Sequence, residues 1–343
     1  MNRREFLAGA VTAAAIPAAV AVETPKAPTK AGGKVKFCAF ADLHFSPGIW
    51  PNGTPVFLDG ILARARKENV DLVIHLGDFV HRVDRSDERD LVKTYNGFEK
   101  PTYHVLGNHD GERGEGGYRK AMEAYGMPKN YYHFDVNGWR FIVMDSNYYL
   151  LKDGTYVHYE GRNLYGDAPR MKWGCCLPPD EVAWLRETIA ASPYPCVLFS
   201  HASVERSYSV RNGEEIRAII DAANRERPGK VRLVINGHHH VDHLSVLRGV
   251  VYFDMNSANY YYYGKKHAKY PREALKAAAG ADQVLAWNDP LSSIITLEEG
   301  RIRISGSSSS YYLGVTPEAA GYRPVDEEGR VIAPISSSFS YED

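Results

Sequence analysis

Five short polar blocks recur along the chain, each closing an apolar run. They are Asp42-Leu43-His44, Gly77-Asp78, Gly107-Asn108-His109-Asp110, Ser200-His201 and Gly237-His238-His239-His240. Carboxylate, amide and imidazole groups are ligands for Mn, Fe or Zn, and the lack of a cysteine among them argues against a structural zinc site. Residues two apart on an extended chain point the same way. Asp42 with His44, and His238 with His240, could therefore each grip one ion while His239 faces away. Glycine ahead of Asp78, Asn108 and His238 lets the chain turn sharply, so that these side chains enter a shared cleft.

The elements that must position these blocks are legible as apolar runs. Val35 to Ala41, Asp71 to Leu76, Thr102 to Leu106, Cys196 to Phe199 and Val231 to Ile235 read as buried strands, each running into one block. Thr54-Pro55 opens a helix with Leu58, Ile61, Leu62 and Ala65 on one face. Pro178-Pro179 opens another, with Val182, Leu185 and Ile189, and Ile216, Ile219, Ile220 and Ala223 mark a third. Strands alternating with helices predict an α/β core whose ligands bind at the carboxyl ends of the strands. Asn137-Gly138, Arg248-Gly249 and Gly300 predict tight hairpins. Beyond Gly306 a serine run and prolines suggest a surface wrap or a disordered end.

The five blocks, in this order from Phe37 to His243, resemble the calcineurin-like metallophosphoesterase superfamily, which includes purple acid phosphatases, Ser/Thr phosphatases and class III cyclic-nucleotide phosphodiesterases. The resemblance implies a four-layer α/β/β/α sandwich with a dimetal cleft at the strand ends. It implies that Asp42, His44, Asp78 and His240 hold one ion, with Asp78 bridging to a second that Asn108, His201 and His238 complete. Two such ions (Mn, Fe or Zn) activate a bridging hydroxide for in-line attack on phosphorus. His109 then faces the leaving oxygen as catalytic group and substrate contact, beside Asn108, and Asp110 orients His109.

One departure stands out. His81 occupies the position where Ser/Thr phosphatases carry an Asp paired with the catalytic His and purple acid phosphatases a Tyr bound to iron. A tyrosinate-bound iron site is thereby disfavoured, and proton donation by His109 loses its usual partner. Arg82 matches the phosphate-binding Arg of the Ser/Thr enzymes, a role that a guanidinium fork suits, although it also sits in a charged surface-like run. His75 and His104 read as hydrogen-bonded core histidines, while His239 and His243 lie near enough for a supporting role. The Tyr260 to Tyr263 run could stack on a base or sugar, or simply pack. Arg113, Gly114, Gly116 and Gly117 suit a lid over a substrate.

Composition narrows the classes. The 343 residues carry 41 basic and 42 acidic side chains, so there is no basic excess for coating nucleic acid. Four cysteines are too few for a disulfide scaffold: Cys38 and Cys196 read as core residues, Cys175-Cys176 as a loop pair. Arg3-Arg4 ahead of Phe6-Leu7, a mild apolar stretch and Ala19-Val20-Ala21 predict a twin-arginine signal peptide over 1–21, and hence export to the periplasm or beyond through that machinery. A flexible leader over 22–33, a catalytic domain over 34–305 and a C-terminal tail over 306–343 complete the expected organisation. No transmembrane segment is expected after signal removal. The expected activity is metal-dependent hydrolysis of small phosphomonoesters or phosphodiesters, nucleotides among them. Two other readings stay open: a pyrophosphatase-type hydrolase of nucleotide diphosphates or phospholipid headgroups, and a silent metal-stabilised binding protein.

Overall fold

The computed structural model describes residues 32–45, 54–80, 86–111, 116–159, 168–264, 266, 269–277 and 280–342. The expected signal peptide, most of the leader, His81, Arg82, Arg113 and Gly114 lie outside them. The first half runs β1 (Val35–Phe40), α1 (Thr54–Lys67), β2 (Leu72–His75), α2 (Ser86–Asn96), β3 (Thr102–His104) and α3 (Gly117–Tyr125). Then follow β4 (Tyr132–Val136), β5 (Trp139–Val143), β6 (Tyr148–Leu151), β7 (Tyr156–His158), β8 (Met171–Cys176), α4 (Pro179–Ala191), β9 (Cys196–Phe199), α5 (Gly213–Glu226) and β10 (Val231–Asn236). The remainder is mostly β: β11 (His243–Leu247), β12 (Val250–Asp254), β13 (Tyr260–Tyr262), β14 (Val284–Ala286), β15 (Ser293–Glu298), β16 (Arg301–Ser305) and β17 (Phe339–Glu342).

Two six-stranded sheets carry the fold. One has the order β17-β16-β15-β1-β2-β3, the other β11-β12-β10-β9-β5-β4. The site-bearing strands are parallel within each sheet, β1 to β2 to β3 and β5 to β9 to β10. Alternation along β1 explains the layering. Phe37 and Ala39 turn to the other sheet, against Phe141, Phe199, Leu233 and Ile235, whereas Cys38 and Phe40 turn outward to Leu58, Ile61 and Leu62 of α1. Ile142, Leu198 and Val234 meet α4 and α5 through Leu185, Ile189, Ile216 and Ile220. The result is the expected α/β/β/α sandwich. Phe37 meets the Phe141 ring edge-on at 5.5 Å in the middle layer, and burying each such side chain contributes about 1.5–3 kcal/mol. Among the described residues no helix is long and apolar enough to cross a membrane.

The hairpin signals act through backbone conformation. Asn137 and Gly138 both have positive φ (48° and 78°), as the tight turn between β4 and β5 requires. The structure also departs from expectation. Cys175 and Cys176 end a strand, β8, of a three-stranded sheet with β6 and β7, and not a loop. Periodicity in this segment is interrupted by register shifts, which hides it. All four cysteines are free.

The segment after Gly306 is an ordered strap. Val315, Ala320 and Ile332 pack with Leu285, Trp287 and Leu291, and β17 adds an edge strand to β16. Charge fastens it: Arg330 donates to Asp254 at 2.6 Å and to Glu205 at 2.9 Å, and the Asn256 amide donates to the carbonyls of Ala333 and Ile335. Asp254 lies fully inside, so removing its cation leaves a buried charge unmatched. Arg330→Ala should therefore cost about 3–5 kcal/mol, read as a lower urea midpoint at neutral pH. A cost below about 1 kcal/mol, the worth of a surface pair, would mean the strap is held by its apolar contacts alone.

Candidate metal centre

The carboxyl ends of both sheets meet at one end of the sandwich, and each ligand block leaves a different strand there. Asp42 and His44 follow β1, Asp78 follows β2, Asn108 follows β3, His201 follows β9, and His238 and His240 follow β10. Backbone hydrogen bonds tie the blocks together: Asp42 N–H to the Gly77 carbonyl at 3.0 Å, His44 N–H to Asp78 at 2.8 Å, and Gly237 N–H to His201 at 2.9 Å. The blocks are not extended. Asp42, His44, Asp78, His238 and His240 all have positive φ, between 48° and 73°. Left-handed backbone at a non-glycine residue carries strain and persists only where its surroundings over-determine it. Five such residues converging on one spot are a strong structural mark of a site.

Gly77 itself has φ 95°, and a Cβ there would come within 2.5 Å of His201 Nδ1. At Gly237 the conformation is ordinary but a Cβ would lie 2.6 Å from Asp42 Oδ2. Its smallness serves close approach and not the sharp turn expected from sequence.

Seven side chains predicted as ligands gather here. The ligand atoms of Asp42, His44 and His240 lie within 4.8 Å of one another, as do those of Asp78, His201 and His238. His44 Nε2 and His240 Nε2 are 3.0 Å apart, and Asn108 Oδ1 is 3.2 Å from His201 Nε2. Asp78 Oδ2 sits between the groups, 3.5 Å from His44 Nε2 and 3.2 Å from His201 Nε2. His109 offers a ring nitrogen within 4.8 Å of His44 and Asp78.

The donor set fits transition-metal ions. Each carboxylate spends one oxygen on a backbone N–H: Asp42 Oδ2 accepts from His238 at 2.9 Å, Asp78 Oδ1 from His109 at 2.7 Å. Asp42 Oδ1, fully buried, has no hydrogen-bond donor among the described residues, yet His240, His44 and His201 aim Nε2 at it from 3.3, 3.6 and 3.9 Å. The carbonyls of Leu76 and Tyr260 accept from Nδ1 of His201 and His240 at 2.8 and 2.9 Å. With the Nδ1 proton held on these carbonyls, it is Nε2 that would give up its proton to a bound cation and turn a lone pair to the cluster, the form that ligates a metal.

Electrostatics point the same way. Burial pushes Asp42 up, but the imidazoles of His240, His44 and His201 hold it well below the usual range. Burial opposes charge on His201 too, yet Asp78 and Asp42 push it up to about 10. Burial takes His44 down to about 4 and His238 to about 3. Two buried carboxylates thus demand positive charge between them.

Asp110 takes a different part from the one expected, which is a correction. Its Oδ2 accepts from the N–H groups of Asp78 and Gly107 at 3.0 and 2.7 Å. Its Oδ1 accepts from Phe79 and Val80, and from the Tyr125 hydroxyl at 2.6 Å. Both oxygens are taken by the loops that carry Asp78 and Asn108, so Asp110 shapes those loops and does not turn to the His109 ring. Burial and then the Asp78 charge push it up to about 6, while all five of its partners donate, as suits an ionised carboxylate. His239 turns away to Ser209, its Nε2 2.9 Å from Oγ. Arg82, the predicted phosphate contact, and His81 fall outside the described residues.

Sequence reasoning missed the carbonyls that set the histidine tautomers, because a backbone acceptor leaves no trace in residue identity. Tyr260, read from the sequence as one of a run that could stack on a base or sugar or simply pack, instead stacks its ring on His44 at 5.3 Å and 25°.

Replacing Asp110 by Asn turns one acceptor into a donor facing N–H groups. D110N should cost at least about 2 kcal/mol of stability in the metal-free protein and weaken metal uptake. Unchanged urea unfolding and metal affinity would remove Asp110 from this scaffold role.

Residues 35–242 match the family model for calcineurin-like phosphoesterase. No curated protein matches the sequence. Among solved structures, a dimetal phosphatase from Danio rerio superposes with a TM-score of 0.57 at 15% identity, covering 82% of this chain and 96% of that one. GAP50, the anchor in the inner membrane complex of Plasmodium, gives 0.50 at 12%, over 90% and 89%. Purple acid phosphatase PPD1 from yellow lupin (Lupinus luteus) seeds gives 0.50 at 12%, over 92% of this chain and 55% of that one. At these identities the likeness is one of fold.

Proposed function

Because this chain belongs to the calcineurin-like phosphoesterase family, and so is a metal-dependent phosphoester hydrolase, we propose that it cleaves small phosphomonoesters or phosphodiesters at two transition-metal ions held by Asp42, His44, Asp78, Asn108, His201, His238 and His240. The observation that carries the reading is the Asp78 carboxylate, poised between the His44 and His201 nitrogens. Two bound ions supply Lewis acidity, which activates water and neutralises phosphate charge.

The chain's own residues do the rest. Asp42, His44, Asp78, His201 and His240 are buried and form a rigid floor, whereas Asn108, His109 and His238 are half-buried and form the side that substrate can reach. From there the Asn108 amide can donate to a phosphate oxygen. The His109 ring, edge-on to His44 at 5.1 Å, is placed to hold a proton for the departing oxygen. The His109 N–H bond to Asp78 keeps the ring beside the floor.

The test is metal content measured together with turnover of mono- and bis-p-nitrophenyl phosphate by the reconstituted protein. The expected result is two ions per chain and activity abolished by chelator; reconstitution that leaves no bound metal would undo the reading. His109→Ala should keep both ions and slow phenyl phosphate about 10²-fold or more, the scale of general acid catalysis, but p-nitrophenyl phosphate less. Equal slowing would argue against proton donation.

Export by the twin-arginine route belongs to the same proposal and rests on Arg3-Arg4-Glu5-Phe6-Leu7. Replacing both arginines by lysine should leave uncleaved precursor inside the cell; mature protein in the periplasm at the parent level would point to another route.

A further inference from the structure

A sixth polar block closes a strand at the same end of the sandwich and delivers no ligand. β5 runs parallel to β9 with Val143 beside Phe199, so Asp145-Ser146-Asn147 stands level with the His201 block. The block reaches to both sides. Ser146 Oγ accepts from the Ala202 N–H at 3.1 Å, directly after His201. The Asn147 amide donates to the Leu106 carbonyl at 2.7 Å, two residues ahead of Asn108. His201 follows a strand of one sheet and Asn108 a strand of the other. Both are assigned to the second ion.

Asp145 holds this block in place. It is fully buried, and donors from three segments converge on its carboxylate. Oδ1 accepts from the Asn147 N–H at 3.0 Å and from the Asn147 amide at 2.7 Å. Oδ2 accepts from the Asn130 amide and meets His158 Nε2, each at 2.8 Å. Burial pushes Asp145 up, but His158, Asn130 and Asn147 hold it below the usual carboxylate range. The His158 ring passes the contact on. It packs on the Tyr118 ring at 4.1 Å, and the Tyr118 hydroxyl donates to the carbonyls of Gly107 and Asn108 at 3.1 and 3.4 Å. A Cβ at Gly111 would come within 2.2 Å of the Tyr118 ring, so the ring also lies against the far end of that loop. Two arms from one carboxylate thus end on the loop that carries Asn108. A neutral amide brings no charge of its own to a cation, so what Asn108 contributes depends on its aim.

We propose that Asp145 is a positioning residue: with Ser146, Asn147, His158 and Tyr118 it fixes Asn108 against His201 and so governs affinity for the second ion. None of these hydrogen bonds ends on the blocks after β1 or β10, so the ion at Asp42, His44 and His240 is left to other contacts. The proposal rests on the dimetal reading above.

The experiment loads metal-free parent and variants with graded Mn(II) and reads the ions bound per chain together with the electron spin resonance spectrum, in which a coupled pair differs from a single ion. The parent is expected to take two ions and give the pair spectrum. Asp145→Asn should weaken the second ion about 10- to 100-fold, the scale for groups that orient metal ligands, and spare the first. Its singly loaded form should match that of Asn108→Ala, which deletes a ligand of the second ion outright. Excess Mn(II) should then restore the parent kcat for p-nitrophenyl phosphate at unchanged KM, which a general loss of fold would not allow. Should Asp145→Asn fail to fold, Tyr118→Phe and Ser146→Ala each remove a hydroxyl, and each should weaken the second ion about 2- to 10-fold, the worth of one hydrogen bond, at an unchanged urea midpoint. Two ions held as tightly as in the parent, or both weakened alike, would overturn the proposal. A parent that binds no pair of ions would sink the dimetal reading instead. Hydrogen exchange of the metal-free protein then decides: Asp145→Asn, or Tyr118→Phe combined with Ser146→Ala, should speed exchange at residues 107–109 and at Ala202 together, by about tenfold or more. A change at one of the two places only, or at neither, overturns the tie.

Discussion

Two carboxylates, Asp42 and Asp78, are buried where two sheets end, and five imidazoles crowd around them. A buried carboxylate without a cation is costly, so this cluster is unreasonable as packing and reasonable as a cation site. Much else in the structure serves that juxtaposition. Parallel strands bring their carboxyl ends together from both sheets. Five ligands accept left-handed backbone to face inward, and glycines at 77 and 237 leave room for His201 and Asp42.

Strain of this kind is held by hydrogen bonds around it. Asp110 ties the loop after β2 to the loop after β3 through four backbone N–H groups. The Ser257 hydroxyl donates to the Asp42 carbonyl at 2.8 Å, and Asn259 donates to Leu43. The carbonyls of Leu76 and Tyr260 fix which imidazole nitrogen keeps its proton when Nε2 turns to a cation. Ligand direction is therefore fixed before any ion or substrate arrives, which is the condition for electrostatic catalysis without reorganisation at the moment of reaction.

The portion of chain beyond residue 242 has a second office. Its strands complete both sheets, through β11 and β12 in one and β15 to β17 in the other. Its strap is locked by buried charge from Arg206 and Arg330 to Asp326, Glu328, Asp254 and Glu205. The same strap lays Tyr322 on Tyr263.

The ligand blocks were legible in the sequence because each combines a chemically unusual residue type with an apolar run and a turn, all of them local properties. Strand alternation in β1 and helix spacing in α1, α4 and α5 likewise foretold which faces are apolar, and so the layers. What residue identity could not carry was direction. Asp42 and His44 point together through positive φ rather than through an extended chain, and Asp110 turns its oxygens to backbone N–H groups contributed by residues some 30 positions earlier. The order of the tail, the carbonyls behind the histidines and the stack of Tyr322 on Tyr263 were decided only by the tertiary structure, because each depends on partners far apart along the chain whose meeting no local pattern encodes.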